Sequence, residues 1–417
     1  MQLENIRSFI ICLGNFPDRL RNVAVGYLLM LMMEAPRHSM AFAAEVTGLD
    51  AAQFSRLLSG HGPLAKTTLE TVAKKAAKRA VKGLSSLVKD APWKAAIIID
   101  GMLHTRSSLH VQNAQRFNHG QGFKIGHQWT NVVLHLGGKV IPLPPIPFYS
   151  KAECRRRKIP YLTAHERLQE YLETLVLSQY LGTYDPSEVV VLIDSGYDVK
   201  TIERLIVAKG WDFIVSLKSC RSVKSTLGKS WSSVAALFLA TRKQAPWKTV
   251  RLKRDGKGKR GVFRARKLTG ALKGLNDREV AIVCSMKSKG KGRRFLACSR
   301  AKASLSLISQ VYRLRWQVEL FHRAVKQQFG VQDIAAHSFD AVEAHVHWVY
   351  TAYVLTQLLP MENVQGLVAK QRKLTAIVQA SAAVSLVQKV TKLRTCFSGK
   401  EKAKDLVAAV AQGCRAA

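Results

Sequence analysis

The fifteen residues Tyr312-Arg-Leu-Arg315-Trp-Gln-Val-Glu319-Leu-Phe-His-Arg-Ala-Val-Lys326 admit few folded environments. Spacings of three, four and seven put Tyr312, Arg315, Glu319 and Lys326 on one face of a 3.6-residue helix. Val311, Leu314, Val318, Phe321 and Val325 form a second stripe, rotated by about one residue, which suits burial. A carboxylate flanked by two cations and a phenol on such a core-packed helix is costly unless it serves a charged ligand. A metal ion and a nucleic-acid phosphate would together satisfy all four groups. The plainer alternative is a helix with an Arg315–Glu319 ion pair at i,i+4.

Two further acids bear on that choice, each closing an apolar run. Ala95-Ala-Ile-Ile-Ile-Asp100 reads as a strand buried on both faces, as in the centre of a mixed sheet. Val189-Val-Val-Leu-Ile-Asp194 repeats the design and is followed by Ser195-Gly196-Tyr197, a turn, then a helical segment from about 198 to 209. Either Asp taken alone is an ordinary cap or turn residue. Three carboxylates at two strand ends and on a facing helix make a hard, oxygen-rich pocket, which favours Mg²⁺ or Mn²⁺ over zinc.

Asp100, the Asp194-Ser-Gly-Tyr197 turn and the Tyr312/Arg315/Glu319/Lys326 pattern resemble bacterial insertion-sequence transposases of the DDE type. The last pattern resembles the signature of the "insertion sequence four" family. The likeness covers roughly residues 95 to 360. It implies an α/β fold with an RNase H-like core, a mixed sheet flanked by helices, in which Asp100, Asp194 and Glu319 are the catalytic, metal-binding triad. Two Mg²⁺ or Mn²⁺ ions per site would serve hydrolysis of a transposon end and transesterification of the freed 3′-hydroxyl into target DNA. Tyr312, Arg315 and Lys326 would hold the phosphates beside the cut. The implied partner is double-stranded DNA, both terminal inverted repeats and target. A homodimer is expected in the synaptic complex, since cutting two ends in synchrony needs two active sites.

Composition agrees with a polyanionic partner. The formal net charge is +37 and the isoelectric point about 10.3, so affinity for DNA should fall steeply with salt. Charge alone supports binding, not cutting. At 417 residues and 47% hydrophobic, the chain can build a sizeable core and two to three domains. Seven scattered cysteines without a C-x-x-C pair point to a reduced cytosol rather than a zinc site. No apolar stretch is long enough to span a bilayer, and no signal-peptide pattern is present. The expected location is the bacterial cytoplasm, nucleoid-associated when bound to DNA.

Residues 1–89 read as a helical, DNA-binding region. Ser39 caps a short helix through Val46, Thr47-Gly48-Leu49 makes a turn, and Asp50 with Gln53 resembles a capping box opening a second helix. That is either a plain helical hairpin or a helix-turn-helix presenting Gln53, Ser55 and Arg56 to DNA. Lys66, Lys74, Lys75, Lys78, Arg79, Lys82 and Lys89 either track a phosphate backbone or form a solvated face.

Residues 90–219 form the first part of the core: strand, hairpin (131–136 and 139–143 about Gly137-Gly138), helix 164–181, acidic strand, helix, and a strand at 211–218. Gly120 to Gly126 reads as a loop holding Lys124. Between 218 and 300 lysines and arginines number 24 against 3 acids, with alternating apolar residues, so 220–300 reads as a basic β-rich insertion. Its Gly-rich runs place Lys253, Arg254, Arg260, Arg293 and Arg294 as DNA contacts. No Trp lies between Trp247 and Trp316, where some relatives stack one on a flipped base; Phe263 and Phe295 are the remaining aromatic candidates. Residues 301–360 complete the core with the catalytic helix, and 361–417 form a helical tail. His345 and His347, two apart on a helix, read as packing rather than metal ligands; His104, four residues past Asp100, is a candidate for the metal site or phosphate. Two competitors share these features: a catalytically inactive DNA-binding regulator, and a two-metal nuclease without strand transfer.

Overall fold

The computed structural model describes residues 2–226, 230–251, 262–276, 278–287 and 292–396, apart from the side chains of residues 119, 287 and 390–396. Lys253, Arg254 and Arg260, the run 288–291 and the tail beyond 396 lie outside the described residues. Five helices come first: α1 (Leu3–Gly14), α2 (Asp18–Met32), α3 (Met40–Thr47), α4 (Ala51–Gly60) and α5 (Gly62–Val81). There follow β1 (Ala95–Thr105), β2 (Gln115–His119), β3 (Gly122–Leu136), β4 (Lys139–Pro142), β5 (Ile146–Pro147), α6 (Lys151–Arg157), α7 (Ala164–Thr174) and α8 (Ser178–Leu181). The second acidic strand is β6 (Val189–Ile193), succeeded by α9 (Lys200–Ala208) and β7 (Asp212–Leu217). Then come β8 (Ser222–Ser225), β9 (Ser232–Ser233), α10 (Val234–Ala240), β10 (Lys248–Arg251), β11 (Val262–Leu272), β12 (Glu279–Lys287) and β13 (Arg293–Cys298). The described chain closes with α11 (Leu305–Tyr312), α12 (Trp316–Gln327), α13 (Phe339–Leu358) and α14 (Leu367–Cys396).

The strands form one mixed 13-stranded sheet whose main path runs β2-β3-β1-β6-β7-β13-β12-β11-β8-β9. β1 is antiparallel to β3 and parallel to β6, and β6 is parallel to β7. Helices flank this mixed sheet, as expected. The strands of the basic segment continue it, because β13 pairs antiparallel with β7. Val189–Ile193 and Ala95–Ile99 are fully buried, as their uniformly apolar content of Val, Ile, Leu and Ala suits central strands.

Three local expectations need correction. β1 does not end at Asp100. It runs on to Thr105, because Gly101 to Thr105 keep pairing with Thr130 to Gly126 of β3, so the acid stands mid-strand. The glycine-rich stretch 120–126 is no loop: only Gly120 and Gln121 lie outside strands, and Gly122 to Gly126 are ladder residues of β3. Gly126 is required by crowding rather than by a turn, since a Cβ there would stand 2.1 Å from the carbonyl oxygen of His104. The helix expected over 164–181 is interrupted: Thr163 and Glu166 form a capping box at the start of α7, which ends at Thr174 where Leu175 turns extended.

Helix α13 is buried on every side, with α5 and α2 against it. His345 is a satisfied core residue: its Nδ1 lies 2.7 Å from the Tyr27 hydroxyl and its Nε2 2.9 Å from the Gly330 carbonyl. In the N-terminal region Ser39 caps α3, Gly48 takes a left-handed conformation (φ 72°), and Asp50 caps α4 through Ala52 N–H rather than through a Gln53 capping box. Lys75 donates to the carbonyls of Cys12 and Leu13 at the end of α1, and Lys74 lies over the Tyr180 ring, so these two lysines serve packing. Among the described residues no helix is long and apolar enough to cross a membrane.

Replacing Gly126 by alanine drives a methyl group into the β1 backbone, and should destabilise the chain by about 2–3 kcal/mol or more. Urea unfolding checks this; a loss under about 0.5 kcal/mol would show that β1 and β3 can part there without cost.

Candidate active site

Asp100 sits in β1, Asp194 directly after β6, and Glu319 on the first turn of α12. Parallel pairing of β1 with β6 aligns Ile99 with Ile193, so the two aspartates lie side by side. Asp194 makes no side-chain cap bond, which leaves its carboxylate available to the site. The turn behind it is fixed from elsewhere. His165 Nε2 lies 2.8 Å from the Gly196 carbonyl, and Tyr197 Oη lies 2.9 Å from Thr130 Oγ1. Gly101 belongs to the same packing, for a Cβ there would stand 3.2 Å from Tyr197 Oη. Asp198 meets Arg221 at 3.4 Å, and Arg221 also pairs with buried Glu203 at 2.5 Å, tying this turn to the start of the basic segment.

All three acids converge on Arg315. Its Nη1 is 3.3 Å from Asp100 Oδ2 and 3.9 Å from Asp194 Oδ1, and its Nη2 donates to Glu319 Oε1. The i,i+4 ion pair of the plainer reading is therefore present, but as one arm of a three-carboxylate cluster. The Arg315 side chain is 16% exposed and that of Asp100 is 19%, so the cluster is half sheltered from water. Burial pushes the Asp100 carboxyl up to about 6, against the pull of Arg315 and of the Gly101 N–H, and the nearby Asp194 and Glu319 push the same way. Among the described residues no three His, Cys, Asp or Glu side chains are placed to hold an ion as they stand. The guanidinium lies among the carboxylates where a cation would go. The donor set is all oxygen and fits a hard divalent ion.

The helical stretch that carries Glu319 is not one uniform α-helix. Residues Arg313–Arg315 form a 3-10 turn between α11 and α12. Tyr312 is buried; its hydroxyl donates to the carbonyl of Ile193 at 3.3 Å, just before Asp194, and burial raises its pKa to about 12. Tyr312 thus ties the end of α11, and the turn that leads into α12, to the second acidic strand. Lys326 lies half-buried, and burial and Lys124 lower its pKa.

A polar network that pattern reading missed stands behind the cluster. Asn131, the register partner of Asp100, donates to His322 Nε2 at 2.9 Å and accepts from Tyr350 Oη at 2.6 Å. His322 accepts through Nε2 and is held neutral, its pKa pushed down to about 3 chiefly by burial. The sequence does contain the clue: Asn131 is a lone amide opening the apolar run Asn131-Val-Val-Leu. His104 is fully buried beside His127 and away from solvent, so burial keeps it neutral. Of the other expected contacts, Arg56 is exposed on α4 and Gln53 is partly buried. Arg293 and Arg294 take opposite faces of β13, with Arg294 near Tyr312 and Arg293 near Cys284 and Arg266. Phe295 is buried against Phe238, and Phe263 pairs with Lys287.

Because the folded chain keeps the Asp100 proton to about pH 6 while the unfolded chain releases it near 3.8, the stability this group contributes is complete below 3.8. It is lost as pH rises through 6, a cost of about 3 kcal/mol. Asp100→Asn should therefore be more stable than the parent above pH 6, by about 1–3 kcal/mol, and equal to it below pH 4. Chemical denaturation across pH 4–8 reads this; a variant less stable than the parent at pH 7.5 would contradict it.

Residues 169–355 match the family model described as the transposase DDE domain. The matched stretch is less than half of the chain; it holds Asp194, Tyr312, Arg315, Glu319 and Lys326 and begins after Asp100. No curated protein matches the chain.

Proposed function

We propose that this chain is a DDE transposase with the Tyr-Arg-Glu-Lys arrangement of the insertion sequence four family. It would bind the terminal repeats of a mobile element, cleave them and join the 3′ end to target DNA. The observation that carries the reading is the convergence of Asp100, Asp194 and Glu319 on one guanidinium. The domain match and the sheet order β3-β1-β6-β7, with β3 antiparallel and β6 and β7 parallel to β1, support an RNase H-like core.

Asp100, Asp194 and Glu319 would hold two Mg²⁺ or Mn²⁺ ions, which when bound supply Lewis acidity for hydrolysis and for transfer. Arg315 has two uses in this scheme. In the resting chain it neutralises part of the carboxylate charge; on DNA its planar fork suits a phosphate bidentately, and that exchange frees the three acids. Lys326 holds a second phosphate as a point charge, about 10 Å along α12 from Glu319. Tyr312 keeps Asp194 in place through Ile193, and the Asn131–His322–Tyr350 network keeps α12 seated over Asp100. A homodimer on DNA supplies two such sites.

Incubation with labelled DNA bordering the coding sequence, a target plasmid and Mg²⁺ tests this directly. Joined product is expected; cleavage without joining would indicate a nuclease, and a gel shift alone a regulator. Asp194→Ala and Glu319→Gln should keep the gel shift and lose cleavage by about 10³-fold or more. Normal cutting by either would remove it from the triad. In a separate titration, Lys326→Ala should lower the slope of log K against log [salt] by about one; an unchanged slope removes Lys326 from the phosphate path.

A further inference from the structure

The β2–β3 hairpin runs past the end of β1. β1 stops at Thr105, opposite Gly126, whereas β3 extends back to Gly122 with only β2 beside it. Near the tip of this ribbon Phe123 is 57% exposed, with the Arg116 guanidinium 5.0 Å from its ring centre. Strand alternation places Phe123 on the same face as His127, Trp129 and Asn131, the face that carries Asp100 and packs under α12. From 112 to 128 the chain contains no acid. Lys124 lies near enough to Lys326 to act on it electrostatically.

One exposed aromatic ring is by itself ordinary on a protein surface. Here it is paired with a cation, on a two-stranded ribbon narrow enough for a DNA groove. Arg116, opposite Ile125, shares the face of Phe123, whereas Lys124 takes the other face of the ribbon, so the ribbon is cationic on both sides. Phe123 is eight residues along β3 from Asn131, the partner of Asp100, or about 26 Å. At 3.4 Å per base pair that is about eight base pairs.

We propose that this hairpin is a DNA-gripping arm, with Phe123 wedged in a groove of the duplex about eight base pairs from the cut and Arg116 and Lys124 on the flanking phosphates. The inference rests on the proposed DNA-cleaving function and adds where the duplex runs. It identifies the hairpin as the element that sets the trajectory of the duplex, which the three carboxylates alone leave open.

The test is a hydroxyl-radical footprint of the full-length chain, without divalent metal. The probe is a 60-base-pair duplex taken from the DNA bordering the coding sequence, its cleavage position mapped separately. The parent should protect the cut and a second patch about eight base pairs away. Phe123→Ala should lose the second patch, keep the first and bind about tenfold more weakly, while Phe123→Tyr should retain both. Lys124→Ala should lower the salt slope by about one. An intact second patch with Phe123→Ala overturns the arm while leaving the proposed function standing. A parent chain that protects no part of the duplex overturns both.

Discussion

One guanidinium holds the site together. Three carboxylates gathered in a half-sheltered pocket repel one another, at about 4 kcal/mol per pair at 4 Å for an effective dielectric near 20. Arg315 touches all three and leaves a cluster that is still negative. Burial raises the Asp100 pKa, against the pull of Arg315 and with a smaller push from Asp194 and Glu319; the residual negative charge is the physical reason such a pocket attracts cations. The elements around it exist to keep this charge concentrated. β1 and β6 set the aspartates side by side, α12 brings the glutamate across, and Asn131, His322 and Tyr350 prevent α12 from drifting.

The frame around the site is stiff. A single core runs from the N-terminal helices through the sheet to α13. Tyr27 on α2 meets His345 on α13, and His345 in turn meets the Gly330 carbonyl just beyond α12. Close packing of this kind transmits displacement rather than absorbing it. At the other end of the sheet, β13 beside β7 joins the basic strands to the strand adjoining β6. The start of β7 is itself held by Asp212, which accepts from Trp93, Ser299 and Arg300.

Much of this was legible from sequence because the relevant patterns are local. The apolar runs 95–99 and 189–193 became central strands, and Glu319 and Lys326 share one helix, whereas the single helix face expected from Tyr312 to Lys326 is broken by the 3-10 turn at Arg313–Arg315. What escaped notice depends on partners distant in the chain. Pattern reading ended β1 at Asp100 because the apolar run ends there, yet the ladder with β3 carries it on. Gly122 and Gly126 suggested a loop, but Gly126 is small because the His104 carbonyl passes beside it. The role of Asn131 is set by its register opposite Asp100, which no single segment encodes. For Arg315 the spacing offered a phosphate or an ion pair with Glu319; its position among three acids follows only once both strands and the helix are assembled.

The short 3-10 turn at Arg313–Arg315 carries a consequence for how the helix is wound. A 3-10 turn advances about 120° per residue against about 100° in an α-helix, so three residues add about 60° of twist. Tyr312 precedes the turn and is fastened to Ile193, whereas Glu319 and Lys326 follow it. Relaxing those three residues to α-geometry would rotate the whole following helix by about 60° about its axis. The carboxylate and the lysine would swing away together while the tyrosine stayed put. Alignment of the third acid is thus a torsional property of the backbone, set by the three residues whose last member, Arg315, also meets both aspartates.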